Sequence, residues 1–353
     1  MTTVATVAQL DQFDEIIDVR TPPEFAEDHI PGAVNLPVLS TEERAHVGTI
    51  YKQSSSFEAK KVGAVLISHN IARHIETYFS SKPKNWRPLI YCWRGGKRSG
   101  SMAHILSEIG WKVARLEGGY KAYRRRVIDD LITLPQAFNF QVVCGPTGSG
   151  KSRFLQALAA ANGQVLDLEQ LAMHRGSVLG NLPDVPQPAQ KKFDSLIWNQ
   201  LRHFDPTRPV YVEAESKKVG QLRVPDALIE RMWQGHCVAL EVESAQRVQL
   251  LREEYAHFIS NPQRLLEKLD CLKALHSKER LEHWRTLVQA TRWDDFVLDM
   301  LINHYDPAYH RSTRTHYPQL DQATRIQAPD ISAQGFQTLA ERLLAHSDQP
   351  LPA

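Results

Sequence analysis

The chain of 353 residues is twice the length of a roughly 150-residue domain, so two folded units, each burying its own core, are expected. Hydrophobic residues at 42 % and charged residues at 23 % exclude a disordered or fibrous chain. Subtracting 40 acidic from 42 basic side chains leaves +2, which does not mark a nucleic-acid binder, so any basic surface must be local.

No apolar run approaches the roughly 20 residues that cross a bilayer, and the opening MTTVATVAQLDQFDE has neither a basic leader nor an apolar signal core; no membrane partner and a cytoplasmic location are expected. Cys92, Cys144, Cys237 and Cys271 are far apart and form no CxxC pair, so they read as reduced thiols, at least one of them reactive. Fifteen histidines include no HExxH pattern, and no metal site is expected from them.

Short apolar runs alternate with helical patterns in two cycles, the pattern of an α/β fold with mainly parallel sheets. In the first, Ile16–Val19, Val34–Val38, Leu89–Cys92 and Val113–Leu116 read as strands, and Lys60–Phe79, Lys97–Ile109 and Tyr120–Leu131 as helices. The strand ending at Cys92 runs into Trp93, Arg94, Gly95, Gly96, Lys97, Arg98 and Ser99 and then a helix. Loop amides, a helix N-terminus and three nearby cations favour a thiolate, so a lowered thiol pKa is expected at Cys92. The spacing also satisfies Cys-x5-Arg-Ser, which keeps a thiol phosphatase open. The other three cysteines sit in or beside apolar runs and read as core.

Leu134-Pro135 marks a boundary, giving domains 1–133 and 134–353. In the second cycle Phe140–Cys144, Gln164–Leu168, Val210–Ala214 and Val238–Val242 are strand candidates; residues of about 245–304 carry only helical periodicity and read as an insert or lid, with Trp284 and Trp293 in its core. Thr324–Gln327 returns to the sheet, Ser332–His346 forms a last helix and the tail DQPLPA is expected to fray. Gly145, Pro146, Thr147, Gly148, Ser149, Gly150, Lys151 and Ser152 match GxxxxGKS between a strand and a helix. The glycines let backbone amides surround phosphate oxygens, Lys151 adds a charge, and Ser152 is compatible with Mg2+. Glu213 and Glu215 end a strand where many P-loop enzymes carry an aspartate; they either hold a metal through water or only cap the strand.

Ile17-Asp-Val-Arg20, Glu24-Phe25, His29-Ile-Pro-Gly-Ala-Val-Asn35 and Leu116-Glu-Gly-Gly-Tyr120 resemble the rhodanese family, whose loop cysteine carries a chalcogen. Joined to GPTGSGKS, and with Leu166–Glu169, His174-Arg175-Gly176-Ser177, VEAES and His304–Ser312, nearly the whole chain resembles the tRNA 2-selenouridine synthase family; Lys97 is a departure, which bears on loop charge. The resemblance implies a rhodanese-like domain and a P-loop NTPase-like domain with a helical insert. It also implies an enzyme that replaces the sulfur of wobble 2-thiouridine in tRNA with selenium from selenophosphate, through an S-geranylated intermediate made from geranyl diphosphate. On that basis Cys92 serves the selenium step, residues 93–99 hold selenophosphate, and residues 145–152 hold the diphosphate, with no tightly bound cofactor. The enzyme that supplies selenophosphate is a further candidate partner.

For RNA contact the candidates are Trp93, the local cations Arg124–Arg126, Lys191-Lys192 and Lys217-Lys218, and above all Arg311 with Arg314. A solvated helix face explains each cluster equally well, and an Asp306–Arg311 structural pair is the alternative for Arg311. Two other readings stay open: a phosphatase or ATP-dependent sulfurtransferase built on the same folds, and a regulatory module with an inert rhodanese domain.

Overall fold

A computed structural model describes residues 3–177 and 179–347. The tail DQPLPA lies outside the described residues. The chain divides into two compact units, residues 1–131 with 188–199, and residues 132–187 with 200–353. Among the described residues no helix is long and apolar enough to cross a membrane.

The first unit is built on a parallel five-stranded sheet in the order β1 (Thr3–Ala5), β5 (Ala114–Leu116), β4 (Pro88–Tyr91), β2 (Glu15–Asp18), β3 (Val34–Asn35). β4 is central and every residue in it is buried, which is why it reads as a continuous apolar run without alternation. Ile17, Ile90, Ile71, Met102 and Leu106 pack sheet against helices in one core. The helix Lys97–Ile109 stops at Gly110, whose φ of 114° only glycine adopts without strain. Among the elements that escape the sequence pattern, two do so for identifiable reasons. β1 has only three residues, and the helix Thr41–Gln53 buries none of its residues, so it has no apolar stripe; Ser40 and Glu43 start it as a capping box.

Residues 188–199, assigned by sequence to the second domain, group with the first unit. They carry most of the helix Gln190–Leu201, in which Phe193, Ile197 and Trp198 are buried. The Trp198 indole donates to Asp130 at 2.8 Å, and Arg124 donates to the Lys191 carbonyl at 3.1 Å and pairs with Asp194.

The second unit has a parallel five-stranded sheet in the order β12 (Thr324–Gln327), β11 (His236–Glu241), β6 (Phe140–Cys144), β8 (Val210–Glu213), β7 (Gln164–Leu166). A short antiparallel pair, β9 (Lys218–Val219) and β10 (Leu222–Arg223), follows β8 in sequence. Phe154, Leu155, Tyr211, Leu240 and Phe336 form the core beside the sheet. The helical region is longer than expected. It runs from Ser244, and the helix Trp293–Met300 continues through a π-helical turn, Leu301–Tyr305, into Asp306–His316. It has a separate core around Leu265, Leu269, Trp284 and Phe296, with Trp293 packed against it. The expectation that Cys271 is core is corrected: it is exposed, because in the turn Asp270–Leu272 it is Leu272 that faces inward. Cys144 and Cys237 are buried.

Candidate functional site

In the first unit, β4 carries Cys92 to the sheet's carboxyl end, where the residue is only 3 % exposed. The chain then turns through Gly95, at φ +66°, into the helix Lys97–Ile109. A closing segment presses on this loop from behind. The Tyr120 amide donates to the Cys92 carbonyl at 2.8 Å and the Lys121 amide to the Trp93 carbonyl at 3.0 Å. A Cβ on Gly119 would lie 2.3 Å from the Cys92 carbonyl oxygen, so this approach requires glycine. Ser99 donates its hydroxyl to Cys92 Sγ at 3.2 Å. Arg94 and Lys97 are exposed, whereas Arg98 is bound at 2.9 Å to Glu24. Burial disfavours the ionised Glu24, but the Arg98 hydrogen bond and charge outweigh it and hold that carboxyl below its usual range. Two of the three expected loop cations therefore remain free of that pair. Trp93, 38 % exposed, lies 5.3 Å from the Tyr120 ring. That ring is fixed from beneath by the Arg20 guanidinium at 3.9 Å and by its hydroxyl's 2.8 Å bond to Asp28.

In the second unit, the phosphate loop follows the central strand β6, at the carboxyl end of the sheet where open α/β folds bind ligands. Gly148 and Gly150 take φ of +80° and +76°. Lys151 donates to the Gly145 carbonyl at 2.8 Å and so spans the loop, while the buried Ser149 hydroxyl has no partner among the described residues. The loop leads into the helix Lys151–Ala160, whose first amides face the cradle.

Carboxyl groups gather behind this helix start. Ser152 donates to Glu169 at 2.9 Å, and the Glu169 amide donates to Glu213 at 2.7 Å. Glu213 is buried and one of its oxygens, Oε2, has no partner among the described residues. Burial first, then the neighbouring carboxylates, push Glu213 well above the carboxylate range, and burial with Glu169 pushes Glu215 up to about 8. Gly176 packs on the same cluster, since a Cβ there would lie 2.5 Å from Glu169 and 2.8 Å from Glu215. His174 is buried, its pKa lowered by that burial, and its Nδ1 accepts the Gly176 amide at 3.1 Å. Arg175 donates to the Glu254 carbonyl and lies 4.9 Å from the Tyr255 ring. Lys151, Ser152, Glu213 and Glu215, singled out separately in sequence, thus converge around Glu169, whose carbonyl also accepts the His174 amide at 3.0 Å, while Arg175 is held instead by Glu254 and Tyr255. Among the described residues no group of three or more His, Cys, Asp or Glu side chains is arranged to hold a metal ion.

Two features of this site were not anticipated. Arg247 donates twice to the Thr147 carbonyl, at 3.0 and 2.8 Å, and pairs with Asp306 at 2.6 Å, joining phosphate loop to helical region. This corrects the Asp306–Arg311 pairing: Asp306 belongs to Arg247, and Arg311 stands exposed on the helix Asp306–His316. Thr147 also borders a cavity walled by Leu251, Tyr255, Phe258, Phe296 and Met300. The cavity measures about 60 Å³, enough for roughly four to six waters on the measure where one needs 10–15 Å³. Helical spacing in the sequence revealed these residues as apolar but not that they leave a space between them.

Residues 3–126 match the model of the rhodanese-like domain, and residues 138–266 that of the tRNA 2-selenouridine synthase AAA domain. A tRNA 2-selenouridine synthase of Nitrosomonas europaea is 36 % identical over 244 residues, which cover 68 % of this chain and 63 % of that protein, less than two thirds of its length. One of Hydrogenovibrio crunogenus is 32 % identical over 345 residues, covering 86 % of this chain and 92 % of that one. Among solved structures, a rhodanese-related protein of Thermoplasma volcanium is similar over 35 % of this chain and 92 % of its own, with 15 % identity and a TM-score of 0.23. With both domain models in order along the chain and a relative matched over nearly its full length, this chain belongs to the tRNA 2-selenouridine synthase family.

Proposed function

We propose that the chain is a cytoplasmic enzyme that replaces the sulfur of wobble 2-thiouridine in tRNA with selenium from selenophosphate, by way of an S-geranylated base made from geranyl diphosphate. The observation that carries the geranyl step is the apolar cavity bordered by Thr147 of the phosphate loop: apolar space beside that loop suits a ligand with a diphosphate head and a hydrocarbon tail, and suits a nucleoside triphosphate less. Family membership supports the tRNA reaction as a whole.

In the first step the thiocarbonyl sulfur attacks C1 of the geranyl group, the C1–O bond breaks, the base loses its N3 proton, and diphosphate departs into the loop amides and Lys151. Alkylation converts a poor leaving group into a neutral thiol. In the second step selenium becomes bonded to C2 and geranyl thiol leaves, while the P–Se bond of selenophosphate is broken by water to give phosphate. Cys92 serves this delivery. The amides of residues 93–99 and the exposed Arg94 and Lys97 provide donors and charge for the phosphate end. Ser152 and Glu169, 2.9 Å apart, would be the residues to hold Mg2+, which would supply charge for the departing diphosphate.

The test is mass spectrometry of nucleosides from thiolated tRNA incubated with protein, selenophosphate and geranyl diphosphate. Cys92→Ala is expected to accumulate the S-geranyl nucleoside and to form no selenouridine. Lys151→Ala is expected to slow geranylation about tenfold or more, having lost a charge-assisted contact of about 1.5–3 kcal/mol. Loss of both products in a folded Cys92→Ala protein would overturn the division of labour.

A further inference from the structure

The walls of the cavity at Thr147 are ordered along its length by the helices that build it. Arg247 binds both Thr147 and Asp306, so the phosphate loop lies at the 247 end of the helix Ser244–Glu254 and the 306 end of the stretch Trp293–Asp306. Further along, Arg252 pairs with Asp294 at 2.8 Å, so the two segments run antiparallel, away from the loop. Leu251 is near the loop, for a Cβ on Gly148 would lie 2.8 Å from its Cδ1. Trp293 and Phe296 therefore lie at the far end. Phe296, Phe258 and Leu265 all border the cavity and are all 6 % exposed or less, being part of the helical region's own core.

From this ordering, and resting on the prenyl diphosphate reading above, we infer that Phe296, with Phe258 and Leu265, is the stop that sets the length of the hydrocarbon tail. Space for roughly four to six waters is on the order of 120–180 Å³ of liquid, the scale of a ten-carbon branched chain. A tail one isoprene unit longer needs about half as much space again, and a close-packed wall does not yield it without strain. The stop is rigid because its three side chains are held by core packing and not by a loop. Selection by length is then a property of the helical insert, whereas affinity for the head group is a property of residues 145–152.

Binding of inorganic diphosphate, geranyl diphosphate and farnesyl diphosphate to the full chain, measured by titration calorimetry, tests this. The unaltered protein is expected to bind the geranyl compound at least about tenfold more tightly than either of the others. Phe296→Ala should narrow or reverse the preference over farnesyl diphosphate, with Phe296→Leu as the milder variant should the first not fold. Val297→Trp, which fills the cavity from its side, should remove the advantage of both prenyl compounds and leave inorganic diphosphate unchanged. If the unaltered protein binds geranyl diphosphate no better than inorganic diphosphate, the prenyl reading itself fails. If it does prefer the geranyl compound and the folded Phe296 variants keep the same ratio to farnesyl, the reading stands and the length stop is overturned.

Discussion

Cys92 and Lys151 can be picked out one residue at a time, because each sits in a short motif of adjacent residues between a strand and a helix. The carboxyl groups cannot. Glu213 and Glu215 could be read either as metal ligands or as strand caps, and the choice depends on residues brought to them from elsewhere: the Glu169 amide and hydroxyl-bound carboxylate, and Gly176 pressed against the cluster. With Glu215 pushed up to about 8, against about 4.5 for the free side chain, the folded state binds more protons than the unfolded one between those values. Stability from this group is complete below pH 4.5 and is lost as pH rises through 8. The melting temperature of the chain is therefore expected to fall between pH 5 and pH 8, and Glu215→Gln, which stays neutral, should flatten that slope. An equally steep slope in the variant would assign the effect to other groups.

Among elements, strands buried on both faces and helices with an apolar stripe were readable, as β4, β6, β8 and Lys97–Ile109 illustrate. Elements without such a stripe, such as Thr41–Gln53, were not. The join between phosphate loop and helical region is invisible to either pattern, because a lone arginine at position 247 has no periodic signature. Arg247 is 6 % exposed and serves Thr147 and Asp306 together. Arg247→Met is expected to destabilise the protein by about 2–3 kcal/mol, since it leaves Asp306 without its cation. Adding Asp306→Leu should recover much of that loss, because an apolar pair leaves no carboxylate unmatched. Diphosphate affinity should stay weakened in the double variant, whose loop has still lost its anchor. Thermal melts of the three variants, alongside diphosphate titrations, check this; a double variant less stable than the single one would count against the latch.

For the molecule as a whole, RNA contact depends on which cations are committed within the fold. Arg124 pairs with Asp194, Arg126 with Asp130 and Lys191 with Glu27, and Lys192 lies 2.8 Å from His29, so the clusters that looked basic in sequence are largely engaged internally. Arg311 and Arg314 remain exposed on the helix Asp306–His316, whose His316 stacks on Trp233 at 4.3 Å with Lys217 5.5 Å from the same ring. Cations beside stacked rings suit a nucleic-acid strand. The affinity for tRNA is expected to fall steeply with salt, and Arg311→Ala should reduce the slope by about one unit while the melting temperature holds. Unchanged affinity and slope would remove Arg311 from the interface.

Local composition was enough to establish the two α/β units, the cysteine loop and the phosphate loop, since each depends on residues adjacent in the chain and on periodicities that a strand or helix imposes. The carboxyl cluster, the Arg247 join, the membership of residues 188–199 in the first unit and the apolar cavity depend on contacts between segments tens of residues apart. A space is the clearest instance. Helical spacing says which side chains turn inward, but whether they meet or leave room beside Thr147 is set by the volumes and crossing of the helices that carry them.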